Sequence, residues 1–137
     1  KIINQNLNDV SNLNCDNIDN QECIARALEI SACSLIYEIN DGKSINEAFQ
    51  ISNKILIKNL RINNLKLLNL FEKDGLIKKE IQVNALERIG FCKEEIKLAI
   101  PKLIKSIDKK TKLNKSQIEK LADEFPSYYL SIFKQKT

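Results

Sequence analysis

Four cysteines, Cys15, Cys23, Cys33 and Cys92, are the residues of this 137-residue chain whose chemistry is easiest to specify. An even number fits two disulfides in an oxidising compartment, and four free thiols acting as small apolar side chains in a cytosolic core are the alternative. Because three of the four lie near the start of the chain, we expect disulfides. We therefore favour an exported protein, periplasmic or secreted, over a cytoplasmic one.

Histidine is absent from the chain, and its absence excludes several kinds of site. There can be no Ser-His or Cys-His nucleophile pair, no His general base and no His metal ligand. The C-x7-C-x9-C spacing of the first three cysteines also lacks the close C-x2-4-C pair that folds around zinc. Adjacent carboxylates such as Glu94 and Glu95 are better explained by the dipole at a helix start than by catalysis. We predict no catalytic residues, no cofactor and no metal site.

Charge is distributed unevenly, although the net charge is only +4. Residues 1–60 carry a balance of −3 and residues 61–137 a balance of +7. The basic half contains a row of lysines with helical spacing that could follow the phosphates of a nucleic acid. This row consists of Lys102, Lys105, Lys109 and Lys112. The alternative is a solvated lysine face without a binding role. We favour this alternative because the chain has 19 Lys but only 3 Arg, together with abundant Asn and Ile. This bias suggests an AT-rich genome.

Capping signals and apolar stripes predict the elements that position these residues. The first helix is predicted from about Gln21 to Asn40, after the capping pair Asp19/Glu22 and before Gly42. The second is predicted to follow Ser44, which pairs with Glu47, and to reach about Leu60. Two further helices are predicted in the middle of the chain, a buried one from Asn63 to Asp74 and another from Lys78 to Ile89. A fifth is predicted to start at Lys93, and Pro101 is expected to kink or break it. A sixth is predicted to follow the capping pair Asn114/Gln117, and Pro126 is expected to interrupt it.

The first predicted helix is apolar on two faces, which is typical of a central helix covered from both sides. One face carries Ile24, Leu28 and Leu35, and the other carries Cys23, Ile30, Cys33 and Tyr37. We expect this second face to meet another helix, the N-terminal arm or a partner. Cys23 and Cys33 lie about 15 Å apart along such a helix, too far for a disulfide. We favour Cys15–Cys23 and Cys33–Cys92 as the bridges, and the swapped pairing remains open.

Two short stretches resemble parts of known DNA-binding or partner-binding modules. Phe71 to Ile77 (FEKDGLI) resembles the end of the recognition helix in winged-helix domains, but the preceding residues are mostly leucine and a helical pattern replaces the wing. We interpret it as a helix C-cap. Leu86 to Phe91 (LERIGF) resembles a turn of ubiquitin-associated domains, where the Gly-Phe turn lines the partner-binding surface. This resemblance makes Ile89, Gly90 and Phe91 candidates for an exposed partner-binding loop, and Tyr37 is a further candidate.

No strand alternation, repeat or linker interrupts the pattern, and no apolar run approaches the roughly 20 residues of a membrane-spanning helix. We therefore expect an all-α fold: one compact orthogonal bundle of six to seven short helices over residues 1–137. Residues 1–18 are expected to form an arm or a short helix. The predicted function is a non-catalytic helical protein-interaction domain, such as an inhibitor, an immunity-type protein or an accessory subunit. The alternative is a nucleic-acid-binding module that uses the basic C-terminal half.

Overall fold

A computed structural model describes residues 13–65, 79–90 and 92–136 of the chain. In this part of the chain there are five α-helices and no strand. We number them α1 (Asn20–Asn40), α2 (Ile45–Ile62), α3 (Lys79–Gly90), α4 (Lys93–Ile107) and α5 (Lys115–Lys136). The all-α class is confirmed, whereas the predicted count of six to seven helices is not reached within the described residues.

Local side-chain capping fixes three helix starts at the positions that the sequence predicts. The carboxylate of Asp19 accepts the backbone N–H of Glu22 at 2.7 Å, and the hydroxyl of Ser44 accepts that of Glu47 at 3.2 Å. At α5, Asn114 and Gln117 each accept the backbone N–H of the other. These reciprocal bonds satisfy donors that the first turn of a helix leaves without intrahelical partners.

The central helix α1 is buried along nearly its whole length, as its two apolar faces predict. It packs against α2, α3 and α4, while α5 packs on α3 and α4. Its C-terminus closes at Gly42, whose φ of +100° is the left-handed conformation that glycine adopts without a steric cost. The ammonium group of Lys102 on α4 lies 3.3 and 3.4 Å from the carbonyl oxygens of Ile39 and Asn40. A positive charge here also stabilises the negative end of the helix dipole.

The two prolines lie inside helices. Pro101 lies in α4, which continues to Ile107, and Pro126 lies in α5, which continues to Lys136. The prediction that Pro126 interrupts the last helix is therefore wrong, and the predicted break at Pro101 does not occur. Each proline removes one backbone hydrogen-bond donor from its helix. The ring of Pro126 is buried in the bundle, so it contributes to the packing of α5. Tertiary packing on both sides of these positions holds the helix in spite of the missing hydrogen bond.

Two asparagines at the end of α2 anchor the residues that precede α1: Asn59, which is buried, and Asn63, which is half-buried. The amide oxygen of Asn59 accepts the backbone N–H of Leu13 at 3.0 Å, and that of Asn63 accepts the N–H of Cys15 at 3.1 Å. Cys15 is also joined to Cys23 by a disulfide, with 5.7 Å between their Cα atoms. The chain over residues 13–19 is not helical. Most of the predicted helix over residues 63–74 lies outside the described residues, but residues 63–65 are not helical.

Candidate functional site

An open apolar groove of about 390 Å³ lies where α4 and α5 meet the start of α2. Its deepest lining residues, which are buried, are Leu35 of α1, Ile100 of α4, and Phe125 and Tyr129 of α5. Ile45 and Phe49 of α2 close one side. Apart from tyrosine hydroxyl groups, the polar lining is limited to Ser106 and Glu124.

The wall formed by α4 becomes steadily more exposed toward the end of the helix. Ile100, Leu103, Ile104 and Ile107 lie three or four residues from one another and so share one helical face. Ile100 is buried, Leu103 and Ile104 are half-buried, and Ile107 is 81% exposed. Ile107 is left exposed because the bundle does not extend far enough to cover the last turn of α4.

The wall formed by α5 contains two adjacent tyrosines with opposite surroundings. Tyr129 is buried, its hydroxyl group is hydrogen-bonded to the hydroxyl of Ser31 on α1, and its ring centroid lies 6.0 Å from that of Phe125. Burial raises the pKa of Tyr129, so the phenol stays protonated. Tyr128 is 63% exposed at the edge of the groove. Successive helical residues point about 100° apart, so Tyr129 anchors the floor while Tyr128 remains accessible.

The chain segment at and after the end of α4 is rich in lysine. Lys105 lies between the lining residues Ile104 and Ser106, and the loop that follows Ile107 contains Lys109, Lys110 and Lys112, all exposed. The one acid in this loop, Asp108, accepts the backbone N–H of Lys110 at 3.0 Å and the hydroxyl of Thr111 at 2.7 Å. These bonds hold the pKa of Asp108 below its usual value, which keeps the carboxylate charged within the loop. The exposed lysines therefore give the chain segment from Lys105 to Lys112 a net positive charge.

The predicted lysine row does not form one helical face. Lys102 and Lys105 lie on α4, but the helix ends at Ile107, and Lys109 and Lys112 follow in the loop. Lys102 is engaged by the carbonyl groups at the end of α1. The 3-4-3 spacing is therefore misleading, because Asp108 ends the helix in an extended conformation before the row is complete.

The partner-binding candidates that sequence reasoning selected do not come together in an exposed surface. Ile89 is 1% exposed and belongs to the core, so its prediction as part of an exposed loop is wrong. Gly90 is exposed, Tyr37 is half-buried against the core, and Phe91 lies outside the described residues. Ile30 is buried as well, so the second face of α1 is covered by the chain itself. Gly90 and Tyr37 remain candidates that nothing in the fold tests.

The four cysteines come together in the two pairs that we favoured. The Cys15–Cys23 disulfide is confirmed. Cys33 and Cys92 are buried free thiols whose Sγ atoms lie 3.0 Å apart. A second disulfide at this position remains a prediction.

A second cavity, of about 360 Å³, lies between α3, α4 and α5 and differs from the groove in its chemistry. Lys93 and Asp123 are both among its lining residues and form an ion pair at 2.8 Å. Each thus neutralises the other, and little charge remains for a ligand. The groove has the larger exposed apolar surface of the two and is the stronger candidate site.

Comparison with protein-family models, with curated proteins and with solved structures found no match to this chain. Among the described residues, no helix is long and apolar enough to cross a membrane. The same residues contain no group of three or more Cys, Asp or Glu side chains that could hold a metal ion.

Sequence reasoning missed the groove, although a signal for it was present. Tyr128 and Tyr129 are adjacent on a helix, so one face of the bundle could not bury both rings. The apolar stripe of α4 also continues to Ile107, the last helical residue, where α5 has not yet begun. An apolar side chain at such a helix end is left exposed unless another element covers it.

Proposed function

We propose that this chain is a non-catalytic helical protein-interaction domain that binds an acidic amphipathic helix of a partner protein in the groove between α4 and α5. The observation that carries this proposal is the exposure of Ile107 and Tyr128 beside a deep apolar floor. Exposed apolar side chains that adjoin an apolar groove are typical of binding surfaces, because their burial by a partner is favourable.

The lining of the groove favours a helix as the occupant. An amphipathic helix presents apolar side chains at i, i+3, i+4 and i+7 along one face, and this face fits into an apolar groove between helices. The groove residues of α4 have the same spacing and end on the exposed Ile107. A partner side chain can therefore reach the deep floor at Ile100 and Phe125 while its neighbours cover Ile107 and Tyr128.

The charge around the groove favours acidic side chains on that helix. Lys105 lies between two lining residues in the sequence of α4, and Lys109, Lys110 and Lys112 follow Ile107 in the loop, although the one charged residue among the lining residues is Glu124. Opposite charges across an interface increase the rate of association and exclude partners of the wrong charge. Glutamate or aspartate on the flanks of the bound helix would meet these lysines, with an affinity that falls as salt is raised.

A small apolar ligand fits the groove less well than a helix. A pocket for a small molecule encloses most of the ligand surface, commonly about 70–90%. Here the outer lining residues remain largely exposed to solvent, with Ile107 at 81% and Tyr128 at 63%. A ligand seated on the floor would leave these side chains in water.

Peptide binding to the whole chain tests the proposal. The probe is a fluorescein-labelled helical peptide with leucine at i, i+3, i+4 and i+7 and glutamate at the positions that flank this apolar face, and binding is measured by fluorescence anisotropy. Ile107→Ser removes an apolar side chain worth about 1.5–3 kcal/mol when fully buried, so we expect Kd to rise about 10-fold to 100-fold. Leu98→Ser is the matched control, because Leu98 is 66% exposed on the same helix but does not line the groove.

Three controls separate this function from its alternatives. A scrambled peptide of the same composition must bind at least 10-fold more weakly, and a version with lysine in place of glutamate must also lose affinity. Equal binding of the scrambled peptide, or equal effects of the Ile107 and Leu98 variants, would contradict the groove as the site. Dodecanoate binding that depends on Ile107, with no peptide binding, would instead identify a carrier of apolar ligands.

A nucleic-acid-binding module remains the second candidate, because the exposed lysines after Ile107 are close together in the chain. Phosphate contacts by lysine predict binding to DNA or RNA that weakens steeply with salt. Reversing the charge at Lys105 and Lys109 should then reduce both the affinity and its salt dependence. DNA or RNA binding that is unchanged by these reversals would exclude this candidate.

A further inference from the structure

The buried thiols of Cys33 and Cys92 form a site that the proposed function does not use. Cys33 lies in the middle of α1 and Cys92 immediately precedes α4, and their Sγ atoms are 3.0 Å apart. Their side chains are only 3% and 4% exposed. A disulfide bond brings two sulfur atoms to about 2.05 Å, so the pair needs to move closer by only about 1 Å to form one.

The surroundings give the two sulfur atoms different roles. Cys92 occupies the N-cap position of α4, where the positive end of the helix dipole favours a thiolate. The hydrogen bond between the two sulfur atoms lowers the pKa of Cys92 and raises that of Cys33. The carboxylates of Glu29 and Glu95 oppose ionisation of both thiols. Cys92 is thus the member of the pair from which a proton leaves first.

We propose that Cys33 and Cys92 form a dithiol site for thiol–disulfide exchange with a low-molecular-weight disulfide such as oxidised glutathione. The inference does not depend on the proposed function. In the first step the Cys92 thiolate attacks one sulfur of oxidised glutathione, a mixed disulfide forms, and one glutathione thiolate leaves. In the second step Cys33 attacks the Cys92 sulfur and its proton passes to the departing glutathione thiolate, which releases the second glutathione as a thiol. The protein thiols are oxidised by two electrons and the glutathione disulfide is reduced by two.

The product is a covalent bond between α1 and the first turn of α4. Leu35, two residues after Cys33, lines the floor of the groove, and the later turns of α4 form one of its walls. Oxidation therefore fixes two of the elements that build the groove relative to each other. Reduction by excess glutathione reverses the reaction by the same two steps.

The full chain is the material for the test. It is equilibrated in glutathione buffers of increasing oxidised-to-reduced ratio, quenched with acid, alkylated in denaturant and mapped by mass spectrometry after proteolysis. We expect peptides containing Cys33 and Cys92 to become linked as the ratio rises. Alkylation of both residues at the highest ratio, or linkage of Cys92 to Cys15 or Cys23, would overturn the proposal.

Single substitutions test the assignment of roles. Cys33→Ser removes the resolving thiol, so Cys92 should retain glutathione as a stable mixed disulfide. Cys92→Ser removes the attacking thiol, and we expect glutathione on Cys33 to be at least 10-fold less abundant. Equal labelling of the two variants would overturn this assignment. Circular dichroism establishes that each variant is folded, and the mapping of the unmodified chain needs neither variant.

Discussion

Formation of the Cys33–Cys92 bond should stabilise the fold more than the disulfide already present between Cys15 and Cys23. A disulfide restricts the unfolded chain, and the restriction increases with the length of the loop that it closes. Cys33 and Cys92 are 59 residues apart, which corresponds to about 4 kcal/mol in the chain-entropy model. Cys15 and Cys23 are 8 residues apart, which corresponds to about 2.5 kcal/mol.

Two double variants isolate the two bridges, because reductant then acts on one disulfide at a time. In Cys15→Ser/Cys23→Ser, the oxidised protein should unfold at a urea midpoint about 2 M above that of the reduced protein, if m is about 2 kcal/mol/M. In Cys33→Ser/Cys92→Ser, reduction should lower the midpoint by only about 1 M. Each comparison is made within one variant, so the cost of burying serine cancels.

A reversed order of these two shifts would contradict the chain-entropy explanation. A lower urea midpoint after oxidation of the Cys33–Cys92 pair would also contradict it, because the bond would then distort the folded state by more than it restricts the unfolded one. Equal shifts would show that loop length does not determine the stabilisation in this chain.

Two further predictions concern contacts within the described residues. Asn59→Ala should lower the free energy of unfolding by about 1–3 kcal/mol in urea titrations, because the backbone N–H of Leu13 loses its acceptor. Asn46 is exposed, so the control variant Asn46→Ala should change the free energy of unfolding by less than about 0.5 kcal/mol. The ammonium group of Lys97 holds the pKa of Glu119 below its ordinary value of 4.5. This ion pair therefore stabilises the fold at neutral pH, and its contribution is lost as the pH falls through the lowered pKa. Glu119→Gln should therefore make urea stability fall less steeply below pH 4.5, and an unchanged slope would contradict the assignment.

The helix starts could be predicted from sequence because capping is local. Asp19 with Glu22, and Ser44 with Glu47, are three residues apart, and the hydrogen bonds that they make need no other element. The central position of α1 was also predictable, since apolar residues on two faces require cover on both sides. Such features follow from composition and spacing over a few turns.

The surface features depended on where helices end, which is less local. The end of α4 at Ile107 removes Lys109 and Lys112 from the predicted helical face and exposes Ile107. The burial of Ile89 depends on how α3 packs against α1 and α5. Likewise, Asn59 gives no signal in the sequence that its partner is Leu13, 46 residues earlier.

The most direct test of the central claim is a chemical-shift map of the isotopically labelled chain titrated with the glutamate-rich amphipathic peptide. We predict that the largest changes occur at residues of the groove, including Phe49, Leu103, Ile107 and Tyr128, with smaller changes at the lysines after α4. Changes centred on Tyr37 and Gly90, or confined to lysines while the apolar lining is unaffected, would contradict the assignment of the groove as the binding site.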